Sequence, residues 1–341
     1  MIRVLIVEDS PTMRAILMSR LANEHDIAVI ATAGNAAEGR ELIKQFDPDV
    51  ITLDVEMPGM NGLEFLEKIM TLRPTPVIVV SGSTKDGNAV TARALALGAV
   101  DCYAKCDRSG GLPLDDNGKL ASLIRYAAQV RFDDPVQKDA RFARRTADAL
   151  AEDVGCIAIG SSTGGVEALQ VLLRDFPADC PPTLIVQHVN ARFAPAIAKS
   201  LDEICPAHVV LARADMPLRK GKVYFAPGGD RHLAVTCGEG SFHTKLRPGE
   251  PVAGHLPSVD VLFETVARTF GPRSVGVLLT GMGSDGAHGL LAMAKAGAFT
   301  IAQDETSCTV FGMPRAAIAL GAANIVAPIG RIARHALRHA A

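Results

Sequence analysis

The sequence predicts an α/β protein of two domains, each built around a mainly parallel β-sheet. Its 341 residues are too many for one ordinary hydrophobic core. In both halves, short β-rich apolar runs alternate with amphipathic helical patterns, which is typical of a parallel sheet covered by helices. A charged stretch of weak periodicity separates the two series. We therefore expect a first domain over residues 1–125, a linker over 126–153 and a second domain over 154–341.

Composition and charge narrow the class of protein. With 48% hydrophobic and 21% charged residues, the chain has the make-up of a globular protein rather than a disordered one. The formal net charge of −2 favours neither a nucleic-acid partner nor insertion into a membrane. Seven scattered cysteines without a CxxC pair favour reduced thiols. These features together predict a cytoplasmic location.

The first domain is expected to be a (βα)5 unit with a five-stranded parallel sheet. Its strands are predicted as continuous apolar runs, which indicates a sheet buried on both faces. The first helix begins in the favoured way, with Ser10 as N-cap and Pro11 at the first helical position. The predicted strands are 4–7, 27–31, 50–53, 77–80 and 100–104, and the clearest helical patterns are 13–21, 36–46, 62–70 and 88–97.

Five chemically active side chains fall at strand ends of this domain. Glu8 and Asp9 follow the first strand, Asp54 follows the third, and Ser81 and Lys105 end the fourth and fifth. The carboxyl ends of parallel strands share one edge, so these side chains are expected to converge. Clustered carboxylates bind a hard cation such as Mg²⁺, while a lysine and a hydroxyl suit phosphoryl oxygens. Taken singly, each is better explained as a turn cap or a solvated charge; their shared position favours a phosphoryl site.

The motifs around these residues resemble the receiver domain of two-component response regulators. They are Val-Glu-Asp-Ser at 7–10, Leu-Asp-Val-Glu-Met-Pro-Gly-Met-Asn-Gly at 53–62, Ser81 and Lys105. The resemblance covers residues 1 to about 125 and implies that Asp54 accepts phosphate from a histidine kinase. It also implies that Mg²⁺ is held by Glu8, Asp9 and Asp54.

Two positions depart from the receiver pattern. Cys106 follows the lysine where the family usually has proline. Cys102 lies three positions before the lysine, where an aromatic residue is common, and Tyr103 is adjacent to it. These departures bear on how the signal is relayed rather than on the phosphorylation site itself.

A glycine-rich turn opens the second domain. Gly-Ser-Ser-Thr-Gly-Gly at 160–165 follows an apolar strand and precedes a helical pattern, and its Gly-x-Ser-x-Gly core centres on Ser162. Such a turn presents a serine hydroxyl at the sheet edge as a nucleophile. The N–H of Thr163, at the helix N-terminus, is a candidate for stabilising an oxyanion. The alternative is a helix-capping loop with no catalytic role.

A nucleophilic serine needs a base, and the base needs a carboxylate to fix its tautomer. His188 is placed best, at the end of the apolar run 183–189, whereas His255 lies in a loop and His288 in a helical pattern. Asp285 follows another apolar run, 275–280. Ser162, His188 and Asp285 thus occupy three strand ends of one predicted sheet. Their Ser–His–Asp chain order differs from that of α/β-hydrolases, so a different fold is expected.

One stretch has a competing interpretation. Gly-Met-Gly-Ser-Asp-Gly at 281–286 fits the G-x-G-x-x-G pattern of dinucleotide-binding sites, and Asp304 follows at nearly the expected distance. This pattern is short and common, and it leaves Ser162 and His188 unexplained. We therefore favour the hydrolase interpretation.

Six motifs extend along the second domain. They are Ile-Gly-Ser-Ser-Thr-Gly-Gly at 159–165, Gln-His at 187–188, Phe-Ala-Pro-Gly-Gly-Asp at 225–230, Pro-Ser-Val-Asp-Val-Leu-Phe at 257–263, Leu-Thr-Gly-Met-Gly-Ser-Asp-Gly-Ala at 279–287 and Val-Phe-Gly-Met-Pro at 310–314. These motifs resemble the chemotaxis methylesterase domain. With the receiver motifs in front, nearly the whole chain resembles the chemotaxis response-regulator protein-glutamate methylesterase family (CheB). The resemblance implies that Ser162 is the nucleophile, His188 the base and Asp285 its partner, with the Met282 amide as a further oxyanion donor.

The resemblance implies a phosphorylation-activated serine hydrolase that needs no cofactor for its esterase reaction. Its substrates would be glutamate methyl esters, and also glutamines, on cytoplasmic helices of chemoreceptors. Ser161 stands where the family usually has alanine, and Leu256 stands where arginine is common. The absence of this arginine bears on how an acidic receptor surface is held. The competing classes are a receiver joined to a non-catalytic binding module and a transcription factor. The second is disfavoured because no helix-turn-helix pattern or basic bias is found.

Overall fold

The computed structural model describes residues 1–57, 62–82, 85–105, 116, 118–130, 155–238 and 240–340, with backbone only for 85–88. The chain divides into two compact units, Met1–Phe132 and Asp133–Ala341. Most of the predicted linker, from 131 to 153, and Cys106 lie outside the described residues. The domain bounds 1–125, 126–153 and 154–341 therefore stay predictions.

The first unit contains a five-stranded sheet in which every pair of neighbouring strands is parallel. The strand order is β2-β1-β3-β4-β5, and β3 and β4 are buried along their whole length. The strands are β1 (Ile2–Val7), β2 (Ile27–Ala33), β3 (Val50–Asp54), β4 (Val77–Ser81) and β5 (Asp101–Ala104). The helices are α1 (Pro11–Leu21), α2 (Ala36–Phe46), α3 (Gly62–Leu72), α4 (Lys85–Ala96) and α5 (Lys119–Ala127).

Local sequence signals explain where the first helices begin. The Ser10 hydroxyl accepts a hydrogen bond from the Met13 N–H at 3.3 Å, and Pro11 stands at the first helical position, as predicted. Asn35 caps α2 in the same way through the Glu38 N–H at 2.9 Å. Both caps therefore place the start of a helix shortly after the end of a strand.

The second unit contains a seven-stranded parallel sheet of order β14-β13-β12-β6-β7-β9-β8. The first strand of this unit, β6, lies at the centre of the sheet, between β12 and β7. Strands are added on one side of β6 and later on the other, which is a doubly wound arrangement. The strands are β6 (Cys156–Ser161), β7 (Thr183–Gln187), β8 (His208–Leu211), β9 (Lys222–Phe225), β12 (Ser274–Leu278), β13 (Phe299–Gln303) and β14 (Ile325–Ala327). The helices are α6 (Gly165–Arg174), α7 (Ala194–Asp202), α8 (Val259–Phe270), α9 (Ala287–Lys295), α10 (Met313–Ala319) and α11 (Ile329–His339).

An antiparallel hairpin lies outside this sheet. It consists of β10 (Arg231–Gly238) and β11 (Ser241–Pro248), in continuous register from Arg231 opposite Pro248 to Gly238 opposite Ser241. Leu233 and Val235 of the hairpin belong to the same buried core as Phe263 and Val266 of α8. The hairpin thus packs against α8, and neither its antiparallel pairing nor this contact was predicted from the sequence.

The predicted fold class is confirmed in both units. The sequence interpretation of the second domain named only the three central strands and missed β8, β9, β13 and β14, which are short or less buried. Within the described residues, no helix has the length and apolar character needed to cross a membrane. The cysteines of the described part of the chain are free thiols.

Candidate active site and phosphoryl site

The acidic residues of the first unit meet at the carboxyl edge of its sheet. Ligand oxygens of Glu8, Asp9 and Asp54 all lie within 4.8 Å of one another. Lys105 Nζ lies 2.6 Å from Asp54 Oδ2 and 2.9 Å from Glu8 Oε2. One lysine therefore contacts two nearly fully buried carboxylates, and a third carboxylate, half-buried, stands beside them.

The electrostatics of this cluster are unbalanced in favour of negative charge. The pKa of Glu8 is raised from its ordinary value to about 7: burial is the largest cause, the Asp54 charge adds to it, and the contact with Lys105 offsets only part of the rise. Burial lowers the pKa of Lys105, but its hydrogen bonds to Asp54 and Glu8 outweigh this and raise it overall. The cluster has three carboxylates and only one ammonium group. Carboxylate oxygens are ligands suited to a hard divalent cation, so Glu8, Asp9 and Asp54 fit Mg²⁺.

Ser81 lies at the same edge, at the end of β4. Its buried hydroxyl accepts a hydrogen bond from the Thr91 hydroxyl at 2.6 Å and contacts the Gly82 carbonyl at 3.4 Å. Thr91 belongs to α4, so Ser81 links the predicted phosphoryl site to that helix. This contact was not anticipated, because nothing in the sequence marks Thr91.

Cys102, which departs from the receiver pattern, and its neighbour Tyr103 differ in their surroundings. Tyr103 is buried, and its hydroxyl donates to Asp116 Oδ2 at 2.8 Å and accepts from the Arg20 guanidinium. Cys102 is half-buried, and burial raises the pKa of its thiol. The aromatic ring of β5 is therefore held inside by α1 and by the start of α5, rather than presented at the position that Cys102 occupies.

In the second unit, Ser162 follows β6 in a turn with tight packing. Its N–H donates to the Thr280 carbonyl at 3.0 Å, and its carbonyl accepts from Gly165 N–H at 2.7 Å. A Cβ on Gly281 would lie 2.7 Å from the Ser162 Cβ, so the loop after β12 requires glycine to pass this close. Gly164 has a φ of +74° and precedes α6. The serine is thus fixed between the ends of β6 and β12.

His188 follows β7, the other neighbour of β6. Its N–H donates to the Ser161 carbonyl at 3.0 Å, which extends the pairing of the two strands by one residue. The buried Gln187 side chain bridges the two turns: its Nε2 donates to the Ser162 carbonyl at 2.7 Å, and its Oε1 accepts from the Ser161 hydroxyl at 2.6 Å. Ser162 and His188 therefore lie on adjacent strand ends held by a common amide.

The imidazole of His188 pairs with Asp285. His188 Nε2 lies 2.8 Å from Asp285 Oδ2, and both side chains are almost fully buried. The carboxylate accepts only, so Nε2 carries the hydrogen. Nδ1 of the same ring is buried and has no hydrogen-bond partner among the described residues. A neutral His188 thus offers a basic lone pair at Nδ1.

The carboxylate of Asp285 is held by the N-terminus of α8. It accepts from the Ser258 hydroxyl at 2.7 Å, from Val259 N–H at 2.7 Å and from Asp260 N–H at 3.1 Å. Although burial raises the pKa of Asp285, hydrogen bonding and the charge of His188, with the Ser258 and Val259 bonds, outweigh it and lower the pKa. The aspartate therefore stays ionised inside the protein because a helix N-terminus and a histidine surround it.

The two rival histidines take different places. His255 stacks on His188 with ring centroids 3.7 Å apart and an interplanar angle of 2°. Burial, and then the neighbouring His188, lower the pKa of His255 to about 4, so it is neutral near pH 7. His288 is exposed in α9. His188 alone of these three has a described hydrogen bond to Asp285.

The oxyanion candidates flank the serine. Thr163 is buried directly after Ser162, and Met282 is half-buried directly after Gly281, whose backbone passes close to the serine. The competing dinucleotide pattern lies in this same loop. A Cβ on Gly286 would lie 2.6 Å from Val259 Cγ1, so this glycine is needed for packing against α8.

Several contacts of the site were missed in the sequence. Gln187 and Ser258 both stood in quoted motifs but had no assigned role, and the stacking of His255 was not foreseen. Ser258 lies 27 residues before Asp285 in a loop, so the rule that strand ends converge does not locate it. The signal available for it was its place as N-cap before an amphipathic helix.

The fold and the two sites define a class: a parallel five-stranded unit with an acidic edge, followed by a doubly wound unit with a serine, histidine and aspartate at its central strand ends. The family model described as CheB methylesterase matches residues 157–336, and the response regulator receiver domain model matches residues 4–111. The chain belongs to the CheB methylesterase family and carries a receiver domain.

Relatives with known names agree over nearly the whole chain. A protein-glutamate methylesterase/protein-glutamine glutaminase 1 of Caulobacter vibrioides is 49% identical over 94% of this chain and 93% of its own. The protein-glutamate methylesterase/protein-glutamine glutaminase of Rhizobium etli is 47% identical over 98% of this chain and 96% of its own. The crystal structure of the Thermotoga maritima CheB methylesterase catalytic domain is 32% identical, covers 54% of this chain and 98% of that chain, and gives a TM-score of 0.53. A non-catalytic binding module is not supported.

Proposed function

We propose that this protein hydrolyses glutamate methyl esters on chemoreceptor helices, with Ser162 as nucleophile, His188 as base and Asp285 as the residue that orients the base. The observation that carries the assignment is the His188–Asp285 hydrogen bond of 2.8 Å, together with the buried Nδ1 of the same ring, which has no partner among the described residues. This ring follows the strand next to the one that Ser162 follows. Relatives named for methylesterase and glutaminase activities support the substrate class.

The mechanism follows from the two nitrogens of His188. The Ser162 hydroxyl attacks the ester carbonyl while its proton passes to His188 Nδ1, and the oxyanion is held by the N–H groups of Thr163 and Met282. The imidazolium then protonates the departing methoxide, so that methanol leaves and an acyl-serine remains. Water, deprotonated by His188, attacks this acyl group and releases the glutamate carboxylate and the free serine. Asp285 stabilises the positive ring from Nε2.

The same steps hydrolyse a glutamine side chain. An amide nitrogen, protonated by His188, leaves as ammonia in place of methanol, and the second half of the reaction is unchanged. No further group is needed, because the acyl-serine is common to both substrates. Deamidation is therefore a second activity of the same three residues.

The receiver unit regulates this reaction in our proposal. Asp54 accepts the phosphoryl group of a phosphohistidine on a histidine kinase, and phosphorylation activates the esterase. Glu8, Asp9 and Asp54 hold Mg²⁺, which neutralises the phosphoryl charge when bound. Lys105, already 2.6 Å from Asp54, contacts the phosphoryl oxygens. The Ser81 hydroxyl turns its hydrogen from the Gly82 carbonyl to one of these oxygens and can still accept from Thr91.

The test is methanol release from methylated receptor membranes by the full chain. Ser162→Ala should lower the rate by about 10⁴-fold or more, because the nucleophile is lost. Ser161→Ala is the matched control: it removes only the hydroxyl bonded to Gln187 and should stay active. Full activity of Ser162→Ala would refute the mechanism.

The regulatory part has its own readout in the same assay. A small-molecule phosphodonor with Mg²⁺ should stimulate methanol release by the wild-type chain and leave Asp54→Asn at its basal rate. Equal stimulation of both proteins would show that Asp54 is not the acceptor, and it would leave the esterase mechanism standing.

A further inference from the structure

A second buried histidine is connected to the active site through α8. His232, at the start of β10, is 4% exposed, and both of its ring nitrogens are hydrogen-bonded to main-chain atoms. Nδ1 accepts from the Ser258 N–H at 3.1 Å, and Nε2 donates to the Glu250 carbonyl at 3.0 Å. These two partners fix one neutral tautomer, with the hydrogen on Nε2.

Ser258 is the residue on which this contact acts. It is the N-cap of α8, and its hydroxyl accepts from the Val261 N–H and donates to Asp285. Its own N–H is buried and would lack a partner without the His232 ring. A buried N–H without a partner is costly, so the imidazole determines where the Ser258 main chain can lie.

The consequence reaches the reacting groups in three steps. Ser258 and the two following N–H groups hold the Asp285 carboxylate, and that carboxylate orients His188. A shift of the Ser258 main chain therefore moves all three α8 donors together, since they belong to one helix start. A displacement of about 1 Å in such a constellation is enough to lower turnover by up to about 100-fold.

The hairpin packs closely around this ring. A Cβ on Gly249 would lie 3.1 Å from His232 Cδ2, and Arg247 is the cross-strand partner of His232. The ring is thus enclosed by β10, the segment after β11 and the loop before α8. It has no described contact with Ser162, His188 or Asp285 themselves.

We propose that His232 is a positioning residue for the esterase reaction, acting through the Ser258 N–H to fix the α8 start that holds Asp285. This inference rests on the proposed function, because it assigns a role relative to the same three residues. It adds a fourth side chain that touches neither the substrate nor the reacting atoms, and it makes the β10–β11 hairpin part of the catalytic framework.

Two amide variants separate the hydrogen bond to Ser258 from the hydrogen bond to Glu250. In His232→Asn, the amide oxygen can take the place of Nδ1 and accept from Ser258, while the bond to Glu250 is lost. In His232→Gln, the amide nitrogen can take the place of Nε2 and donate to Glu250, while Ser258 loses its acceptor. Each variant removes the ring and one hydrogen bond, and the two side chains differ by one methylene group.

We expect kcat for methanol release to fall about 10- to 100-fold in His232→Gln and to stay within about threefold of wild type in His232→Asn, with KM unchanged in both. A second readout needs no substrate: the proton between His188 Nε2 and Asp285 gives a low-field NMR resonance. It should shift in His232→Gln and remain in place in His232→Asn.

Equal kcat values in the two variants, or a larger loss in His232→Asn, would overturn the proposal. If His232→Gln does not fold, His232→Met takes its place, since it also lacks an acceptor for Ser258. Failure of both to fold while His232→Asn folds would assign the contact to stability alone and would also overturn it. Failure of the proposed function is recognised separately, by activity that survives Ser162→Ala, and the NMR comparison remains valid in that case.

Discussion

The two units of this protein use the same edge of the same kind of sheet in opposite ways. In the first, Glu8, Asp9 and Asp54 bring like charges together, and one lysine offsets only part of that charge. In the second, one carboxylate, Asp285, is saturated by a histidine, a hydroxyl and two N–H groups of a helix N-terminus. The first edge is suited to receive a cation and a phosphoryl group; the second is suited to hold an imidazole in one orientation.

This comparison teaches how pKa values follow from surroundings rather than from residue type. Glu8 and Asp285 are both buried carboxylic acids at sheet edges. The pKa of Glu8 is raised to about 7, mainly by burial, whereas that of Asp285 is lowered because its hydrogen bonds outweigh burial. The number of donors around each carboxylate decides the direction.

The largest expected effect comes from removing the charge of Asp285, the carboxylate whose oxygens are fully hydrogen-bonded. Asp285→Asn should lower kcat for methanol release by about 10⁴-fold, because the amide no longer holds His188 with Nδ1 as the basic nitrogen. Asp304→Asn is the control, since the described hydrogen bonds of the Asp304 side chain are to Thr306 and Ser307 in the loop after β13. A loss of less than tenfold in Asp285→Asn would mean that the contrast between the two edges has no catalytic meaning.

The acidic edge of the first unit, formed by Glu8, Asp9 and Asp54, should stabilise that unit when it binds a cation. Mg²⁺ at about ten times its Kd should raise the free energy of unfolding of the first unit by about 1.4 kcal/mol near pH 8. The folded pKa of Glu8, about 7, exceeds its ordinary value of 4.5, so the folded state holds more protons between these values and stability falls as pH rises through this window. Protons therefore compete with Mg²⁺.

The thermal midpoint of unfolding is measured on the full chain with and without Mg²⁺, using a signal that reports on the first unit. The gain should be smaller near pH 5.5 than near pH 8, because Glu8 is protonated at the lower pH. An Asp54→Asn protein should show a smaller gain at both pH values. An equal gain at both pH values in the wild type would argue against carboxylates as the cation ligands.

The smallest expected effect concerns the ring stacked on His188. His255→Phe keeps an aromatic face and should change kcat by less than about threefold, whereas His255→Ala removes a stack worth about 0.5–1.5 kcal/mol and should lower kcat by up to about tenfold. Both results follow if His255 supports the ring orientation of His188. A loss of several orders of magnitude in His255→Phe would instead indicate that His255 is the base. The role given to His188 and Asp285 in the comparison of the two edges would then be wrong.

Much of this arrangement could be predicted from the sequence, for a simple reason. Ser162, His188 and Asp285 follow the strands β6, β7 and β12, and parallel strands bring their carboxyl ends to one edge. The five residues of the acidic site obey the same rule. Strand patterns are easy to recognise when strands are fully buried and continuous, as β3, β4, β6, β7 and β12 are.

The parts that could not be predicted lie off the strand ends. Ser258 comes from a loop, His232 from a hairpin outside the main sheet, and Thr91 from the face of a helix. Their positions depend on how helices and hairpins pack on the sheet, and the spacing of apolar residues does not specify which polar group meets which. Gln187 lies on a strand, but only the structure shows its amide turned toward the two serines.

The attachment of Asp285 to the first turn of α8 has a consequence for inactivation. Helix ends fray more readily than the interior of a buried sheet, and local openings require less free energy than global unfolding. Opening of the Ser258 turn would release the carboxylate while β6, β7 and β12 stay paired. Warming should therefore abolish turnover before the bulk of the secondary structure melts, and amide hydrogen exchange at Val259 and Asp260 should follow the loss of activity more closely than exchange in the strands.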